Sequence, residues 1–148
     1  MDSNKKRIVV VGAGYVGMST SVMLSVKNEV VVVDIDEKRV NSINNKISTV
    51  KDVGIEESLK NNQLNLSATI DYASAYDGAE YIIIATPTDY DVITGYFDTS
   101  SVEKTINDVF SINPKATIII KSTIPIGYIT SARKKYKNNK IIFSPEFL

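Results

Sequence analysis

The sequence predicts an α/β chain, a doubly wound, mainly parallel six-stranded sheet with helices on both faces. Three observations predict it. Short β-branched runs alternate along the chain with longer segments that suit helices. Four of the runs are nearly continuous in Val and Ile, the pattern of parallel strands covered on both faces. A glycine-rich turn, Gly12-Ala13-Gly14-Tyr15-Val16-Gly17, follows the first run directly and opens a helical segment.

The runs are Ile8–Val11, Val30–Val33, a weaker one at Leu64–Thr69, Tyr81–Ala85, Thr117–Ile120 and Ile141–Phe143. Met18–Lys27 follows the glycine turn as a helix, and Glu37–Asn45 follows the second strand. Ile55–Asn61 carries Ile55 and Leu59 at helical spacing. In Ser101–Phe110, Val102, Ile106, Val109 and Phe110 form one apolar face, and Ser100 with Glu103 has capping-box spacing. Asn113-Pro114 stops that helix. A last helix, about Tyr128–Tyr136, ends in Arg133, Lys134 and Lys135, read as solvated charge complementing a helix C-terminus rather than a nucleic-acid site. No repeat, linker or low-complexity stretch interrupts the series, so residues 1–148 are expected to form one domain. The chain stops at Phe147-Leu148, straight after the sixth run, which reads as a cut inside a longer protein.

Composition narrows the chemistry. The 148 residues are 43 % hydrophobic and 23 % charged, ordinary for a globular domain, and 17 Lys and Arg balance 17 Asp and Glu. That balance supplies no field to gather nucleic acid or an anionic membrane, and neither is expected as a partner. There is no cysteine and no histidine, which removes thiolate nucleophiles, the usual general base and the commonest zinc ligands; no metal site is expected. The apolar run after Met1–Arg7 is too short for a signal-peptide core, so a cytoplasmic chain is expected.

The glycine turn carries the strongest functional signal. Gly12 permits a tight turn, Gly14 lets a pyrophosphate approach the backbone, and Gly17 lets helix pack on strand. Unpaired N–H groups at the start of the helix favour the phosphates. Asp34 ends the second strand, where a carboxylate accepts hydrogen bonds from the adenosine ribose and repels the 2′-phosphate of NADP. The pattern is that of a Rossmann-type domain with NAD as cofactor. Arg39 lies close enough to soften the preference, and a cap for the next helix is the bland alternative for Asp34.

Three later segments close strands where such a sheet places its ligands. Ala85-Thr86-Pro87-Thr88 offers backbone and hydroxyls to a cofactor, or is an ordinary turn punctuated by proline. Lys121-Ser122-Thr123-Ile124-Pro125-Ile126-Gly127 offers a lysine and two hydroxyls, or a snorkelling lysine and hydroxyls that satisfy loop amides. Ser144-Pro145-Glu146-Phe147-Leu148 brings Glu146, the best-placed group for acid–base work in a chain without histidine, or a solvated surface carboxylate.

Taken together and in register, the glycine turn, Asp34-Ile35-Asp36, Ala85–Thr88, Lys121–Gly127 and Ser144–Leu148 resemble the UDP-glucose 6-dehydrogenase family over essentially the whole chain. The resemblance implies a two-step, four-electron oxidation of UDP-glucose to UDP-glucuronate with two NAD, passing through a cysteine thiohemiacetal and thioester. It implies that Tyr15, Val16, Asp34, Arg39, Thr86, Pro87, Thr88, Ser122 and Thr123 contact NAD beside the three glycines. Thr123 would also help hold a catalytic water, and Glu146 would assist thioester hydrolysis. Glu146, Phe147 and Leu148 would begin the sugar-nucleotide site. The family's cysteine, catalytic lysine and asparagine, central helix and second domain have no counterpart here. The resemblance therefore implies an NAD-binding domain that is inactive by itself and monomeric, from an enzyme that dimerises when whole. The loop Ile47–Lys51 also lacks a proline often found in the family. UDP-N-acetylmannosamine and GDP-mannose dehydrogenases share the scaffold, and a non-catalytic NAD-sensing domain would share the glycine turn. Thr88–Asp91 and Phe97–Thr99 favour UDP-glucose by resemblance.

Overall fold

The computed structural model describes residues 4–61, 63–138 and 140–146. The chain opens with β1 (Arg7–Val11), crosses through helix α1 (Tyr15–Ser25) to β2 (Glu29–Val33), and continues through α2 (Glu37–Asn44) and α3 (Val53–Lys60) to β3 (Leu66–Thr69). A short helix, α4 (Tyr72–Tyr76), leads into β4 (Tyr81–Ile84). A hairpin of β5 (Tyr90–Asp91) and β6 (Tyr96–Phe97) follows, and then α5 (Ser100–Ile112), β7 (Thr117–Ile120), α6 (Tyr128–Tyr136) and β8 (Ile141–Phe143).

Six strands form one sheet in the order β3-β2-β1-β4-β7-β8, and every neighbouring pair is parallel. Ile8 pairs with Val30 on one side and with Tyr81 on the other. The winding runs outward from β1 to β3, then returns to lay β4 on the free edge of β1. The crevice at a doubly wound sheet's carboxyl edge opens at such a reversal.

Alternation along each strand divides its side chains between two helical layers. Val9, Val11, Ile82, Ile84, Ile118 and Ile120 pack under Tyr76 of α4, Ile106 of α5 and Ala132 of α6. On the opposite face Val32 and Ala68 pack under Met18, Val40, Ile43 and Leu59 of α1, α2 and α3. Val9 and Val10 are chain neighbours facing opposite ways, yet both are fully inaccessible. Burial on both faces is why these strands read as unbroken apolar runs, and each such side chain contributes roughly 1.5–3 kcal/mol.

Some expected details differ. Helix α1 begins at Tyr15, not Met18, because the turn closes quickly and the Met18 N–H already donates to the Gly14 carbonyl, 2.9 Å away. The capping box at Ser100 and Glu103 does not form. Ser100 is already helical, Thr99 is the N-cap, and the Asp98 carboxylate accepts from Ser100 N at 3.0 Å. Glu103 pairs instead with Lys135, 3.3 Å away, and the Arg133 guanidinium donates to the Ile141 carbonyl at 2.8 Å. The basic run of α6 is thus partly spent on packing that helix against α5 and β8.

Helix α4 and the hairpin are additions to the expected element list. Asp71 caps α4, its carboxylate accepting from the Ser74 hydroxyl at 2.6 Å and the Ser74 N–H at 3.2 Å. Those bonds hold the Asp71 carboxyl below its ordinary pKa. Asp91 does the same for the hairpin turn, accepting from the N–H of Ile93 and Thr94, and is likewise held low. Among the described residues no helix is long and apolar enough to cross a membrane.

Candidate functional site

Each of the three glycines meets a different surrounding. Gly12 has φ +105°, and a Cβ there would lie 2.5 Å from the Ala85 carbonyl oxygen at the end of β4. A Cβ on Gly17 would collide with the Gly12 carbonyl oxygen, so α1 can approach the end of β1 only without a side chain at that point. Gly14 is different. Its backbone angles, φ −82° and ψ −167°, suit any residue, and a Cβ would meet nothing within 4 Å. The protein itself does not require glycine there. The open space lies at the N-terminus of α1, whose cap makes no side-chain bond and whose first N–H groups lack intrahelical partners. A cradle that a side chain would fill, at the positive end of a helix dipole, fits a pyrophosphate.

Asp34 follows β2 directly and is 9 % exposed. Its Oδ2 accepts from the Ala13 N–H at 2.8 Å and its Oδ1 from the Asp36 N–H at 2.9 Å. It does not cap α2; Asp36 does, accepting from the Lys38 N–H at 2.9 Å. A carboxylate has about four acceptor positions, so two remain for further donors. Arg39 bridges the two aspartates at 3.7 Å and 3.9 Å, with its side chain half in solvent.

Two cavities flank a ridge formed by Thr86 and Pro87, which line both. Ser101 braces the ridge from α5, its hydroxyl 2.9 Å from Thr86 Oγ1 and 3.0 Å from the Pro87 carbonyl oxygen. The cavity on the β2 side encloses about 320 Å³ between Asp34, Ile35, Arg39, Ile70, Tyr72 and the side of α5. Lys104 and Asp108 stand in its α5 wall 2.6 Å apart, a contact that raises the Lys104 pKa, and the Lys104 ammonium sits 5.0 Å from the Tyr72 ring centroid. Burial pushes the Tyr76 phenol upward and keeps it neutral.

The cavity on the β7 side, of about 360 Å³, is lined by Gly14, Val16, Thr88, Lys121, Thr123 and Glu146, among others. Lys121 reaches Glu146 at 2.9 Å, joining the ends of β7 and β8. Ser122 is buried and donates to the Thr86 carbonyl at 2.7 Å, so its hydroxyl also ties the ridge to β7. Tyr15 is half exposed at the same mouth, its hydroxyl 3.5 Å from the Lys51 carbonyl.

The sequence-predicted residues therefore gather at one edge of the sheet. Gly12, Gly14, Tyr15, Val16 and Gly17 form the turn, and Asp34 and Arg39 lie on its β2 side. Thr86 and Pro87 form the ridge, and Thr88, Ser122, Thr123 and Glu146 lie on the β7 side. Phe147 and Leu148 lie outside the described residues. Sequence reasoning missed Ile70, Tyr72, Ser101, Lys104 and Thr49, whose hydroxyl donates to the Ala13 carbonyl at 2.7 Å. Tyr72 lies within Asp71-x-x-Ser74, directly after the capping Asp71, a cap signature that marks α4. Nothing in the sequence marks Thr49.

A six-stranded parallel sheet with its reversal at β1 and β4, a glycine turn at that reversal and an acidic residue ending the next strand define a dinucleotide-binding domain. A family model described as the NAD-binding domain of the UDP-glucose/GDP-mannose dehydrogenase family matches residues 6–148. The chain is 50 % identical over 142 residues to a UDP-glucose 6-dehydrogenase of Streptococcus pneumoniae, covering 96 % of this chain and 36 % of that protein. A UDP-glucose 6-dehydrogenase of Campylobacter jejuni is 46 % identical, with 96 % and 37 % covered. A solved UDP-D-ManNAc dehydrogenase from Pyrococcus horikoshii superposes with TM-score 0.83 at 27 % identity, over 96 % of this chain and 36 % of that one. The chain belongs to the UDP-glucose/GDP-mannose dehydrogenase family as its NAD-binding domain, and its cofactor is NAD. It spans little more than a third of the length of these relatives.

Proposed function

We propose that residues 1–148 are a single domain, the NAD-binding part of a UDP-glucose 6-dehydrogenase that oxidises UDP-glucose to UDP-glucuronate with two NAD. The observation that carries the substrate is the 50 % identity to the pneumococcal UDP-glucose enzyme across 96 % of this chain. On this reading Gly14 and the first-turn N–H groups of Tyr15, Val16 and Gly17 receive the pyrophosphate, with Gly12 shaping the turn. Asp34 accepts from the adenosine ribose beside Arg39, and Ile35, Ile70 and Tyr72 enclose the adenine. Thr86 and Pro87 carry the middle of the cofactor, and Thr88, Ser122 and Thr123 face its nicotinamide end. NAD, when bound, supplies the hydride acceptor.

The remaining roles belong to the chain's own polar groups. Thr123 and Glu146 hold a water between them, and the 2.9 Å contact with Lys121 keeps Glu146 turned into the cavity. Glu146, Phe147 and Leu148 begin the sugar-nucleotide site. With neither cysteine nor histidine the domain has no thiolate nucleophile, so alone it binds cofactor without turnover, as a monomer. A purely sensory NAD domain has no use for an ion-paired Glu146 in the second cavity, which favours the enzyme reading.

The test has two arms. Calorimetry on this chain should give one NAD site and weaker binding of NADP, with no NADH formed when UDP-glucose is added. The full-length dehydrogenase should release two NADH per UDP-glucose consumed. Turnover with UDP-N-acetylmannosamine or GDP-mannose, and none with UDP-glucose, would keep the domain and move the substrate.

A further inference from the structure

The glycine turn is held by more than its glycines. Ala13 stands between Gly12 and Gly14 and is wholly buried. Its N–H donates to Asp34 Oδ2 at 2.8 Å, and its carbonyl oxygen accepts from the Thr49 hydroxyl at 2.7 Å. One residue of the turn is thereby gripped from both sides by side chains from two different connections. The Ala13 carbonyl belongs to the same planar unit as the Gly14 N–H, and in a trans peptide the two point in opposite directions. Drawing the oxygen toward Thr49 therefore turns the Gly14 N–H away from Thr49. We infer that Thr49 is a positioning residue for phosphate recognition, its hydroxyl fixing the peptide that presents the Gly14 N–H to a pyrophosphate.

Thr49 lies in the connection between α2 and α3, which has no regular structure but is fastened along its length. The Ile47 N–H donates to the Ser42 carbonyl at 2.8 Å. The Ser48 hydroxyl donates to the Val50 carbonyl at 2.7 Å, and the Val50 N–H donates back to Ser48 Oγ at 3.2 Å. Asp52 caps α3 through the Ile55 N–H at 2.9 Å. A side chain on so constrained a segment loses little freedom in making one more bond, so its hydroxyl is preorganised. The Tyr15 hydroxyl, 3.5 Å from the Lys51 carbonyl, gives the same segment a second contact with the start of α1. A ligand with a pyrophosphate uses the fixed peptide; adenosine alone does not reach it.

The inference rests on the NAD-binding reading, and ligands of graded size separate the two. Thr49→Val keeps the shape and removes the donor, and Thr49→Ser keeps the donor. Calorimetry should show Thr49→Val weakening NAD and ADP-ribose by about fivefold, the factor of one lost hydrogen bond. Adenosine, followed by NMR titration, should stay within about twofold, and Thr49→Ser should restore ADP-ribose to within about twofold of the unaltered chain. In the ligand-free protein the Gly14 amide should show a lower NMR order parameter in Thr49→Val and not in Thr49→Ser. Unchanged ADP-ribose binding by Thr49→Val, or equal losses for adenosine and ADP-ribose, would overturn the positioning role. Failure of the unaltered chain to bind any of these ligands would remove the NAD reading beneath it.

Discussion

The two cavities beside the Thr86–Pro87 ridge are made of different materials. The β2-side cavity is walled by Ile35, Ile70 and Tyr72, with charge confined to Asp34, Arg39 and the Lys104–Asp108 pair. The β7-side cavity is lined by threonine hydroxyls and the Lys121–Glu146 pair, beside the open space at Gly14. An apolar slot with one buried carboxylate suits holding a flat base and its ribose; a polar bay suits handling a water and a reacting alcohol. On the proposed reading one side grips the cofactor and the other faces the reaction of the whole enzyme, and the glycine turn between them belongs to both.

The largest effect should come from the shared element. Gly14→Leu fills the cradle without touching the fold, so NAD affinity should fall by about a hundredfold with circular dichroism near native, since an overfilled site costs about 1–3 kcal/mol. Retained affinity would put the pyrophosphate elsewhere. Asp34→Ala should come next; it strikes the gripping side and one of the two bonds that hold Ala13 in the glycine turn. NAD should weaken by about thirtyfold and NADP by less, while thermal stability drops because the buried Ala13 N–H loses its acceptor, a loss of about 1–3 kcal/mol. Equal weakening of both dinucleotides would contradict the assigned role.

A sharper division compares one residue from each side. Tyr72→Ala should weaken ADP-ribose by about tenfold through lost apolar contact, whereas Thr123→Val should leave it within about twofold. If both variants weaken ADP-ribose alike, the cavities do not divide the cofactor as proposed. The smallest effect concerns acid. Asp71 staples α4 on one side and Asp91 staples the hairpin on the other, and both carboxyls are held below their ordinary values by the hydrogen bonds they accept. A depressed folded pKa gives stability that is present above the unfolded value, about 3.9, and is lost as pH falls through the folded one. Both segments should therefore loosen together below about pH 4 in NMR spectra of the Tyr72 and Tyr90 rings, and Asp71→Asn should remove that response from α4 alone.

How far the sequence disclosed this arrangement depends on how each part is encoded. The central sheet strands were legible because burial on both faces forces unbroken runs such as Val30–Val33 and Tyr81–Ile84, whereas β3, with only Ala68 buried, reads as the weaker run. The glycine turn and Asp34 were legible because each answers a local demand of backbone or charge. Helix α4 has five residues, too few for an apolar period, and only its Asp71 cap betrays it. The hairpin pairs two residues on each strand and leaves Val92 and Ile93 in solvent, so it has no inward face to read; its signals are Asp91 and a left-handed Gly95. Thr49 was invisible because its partner is a backbone carbonyl 36 positions away, a relation that exists only once the chain is folded.

The clash that Gly12 avoids with the Ala85 carbonyl has a consequence in time. That carbonyl ends β4, and β4 meets β1 through pairs such as Ile8 with Tyr81, contacts that close a very long stretch of chain. Long-range parallel pairing is slow to nucleate, so the wall behind the glycine turn should be assembled late, after the neighbouring β1 and β2 have met. A ligand seated on that wall has little to hold in the folding transition state. Added NAD should accordingly leave the refolding rate nearly unchanged and act on the unfolding limb of the chevron, so that the domain is protected by slower opening rather than by faster closing.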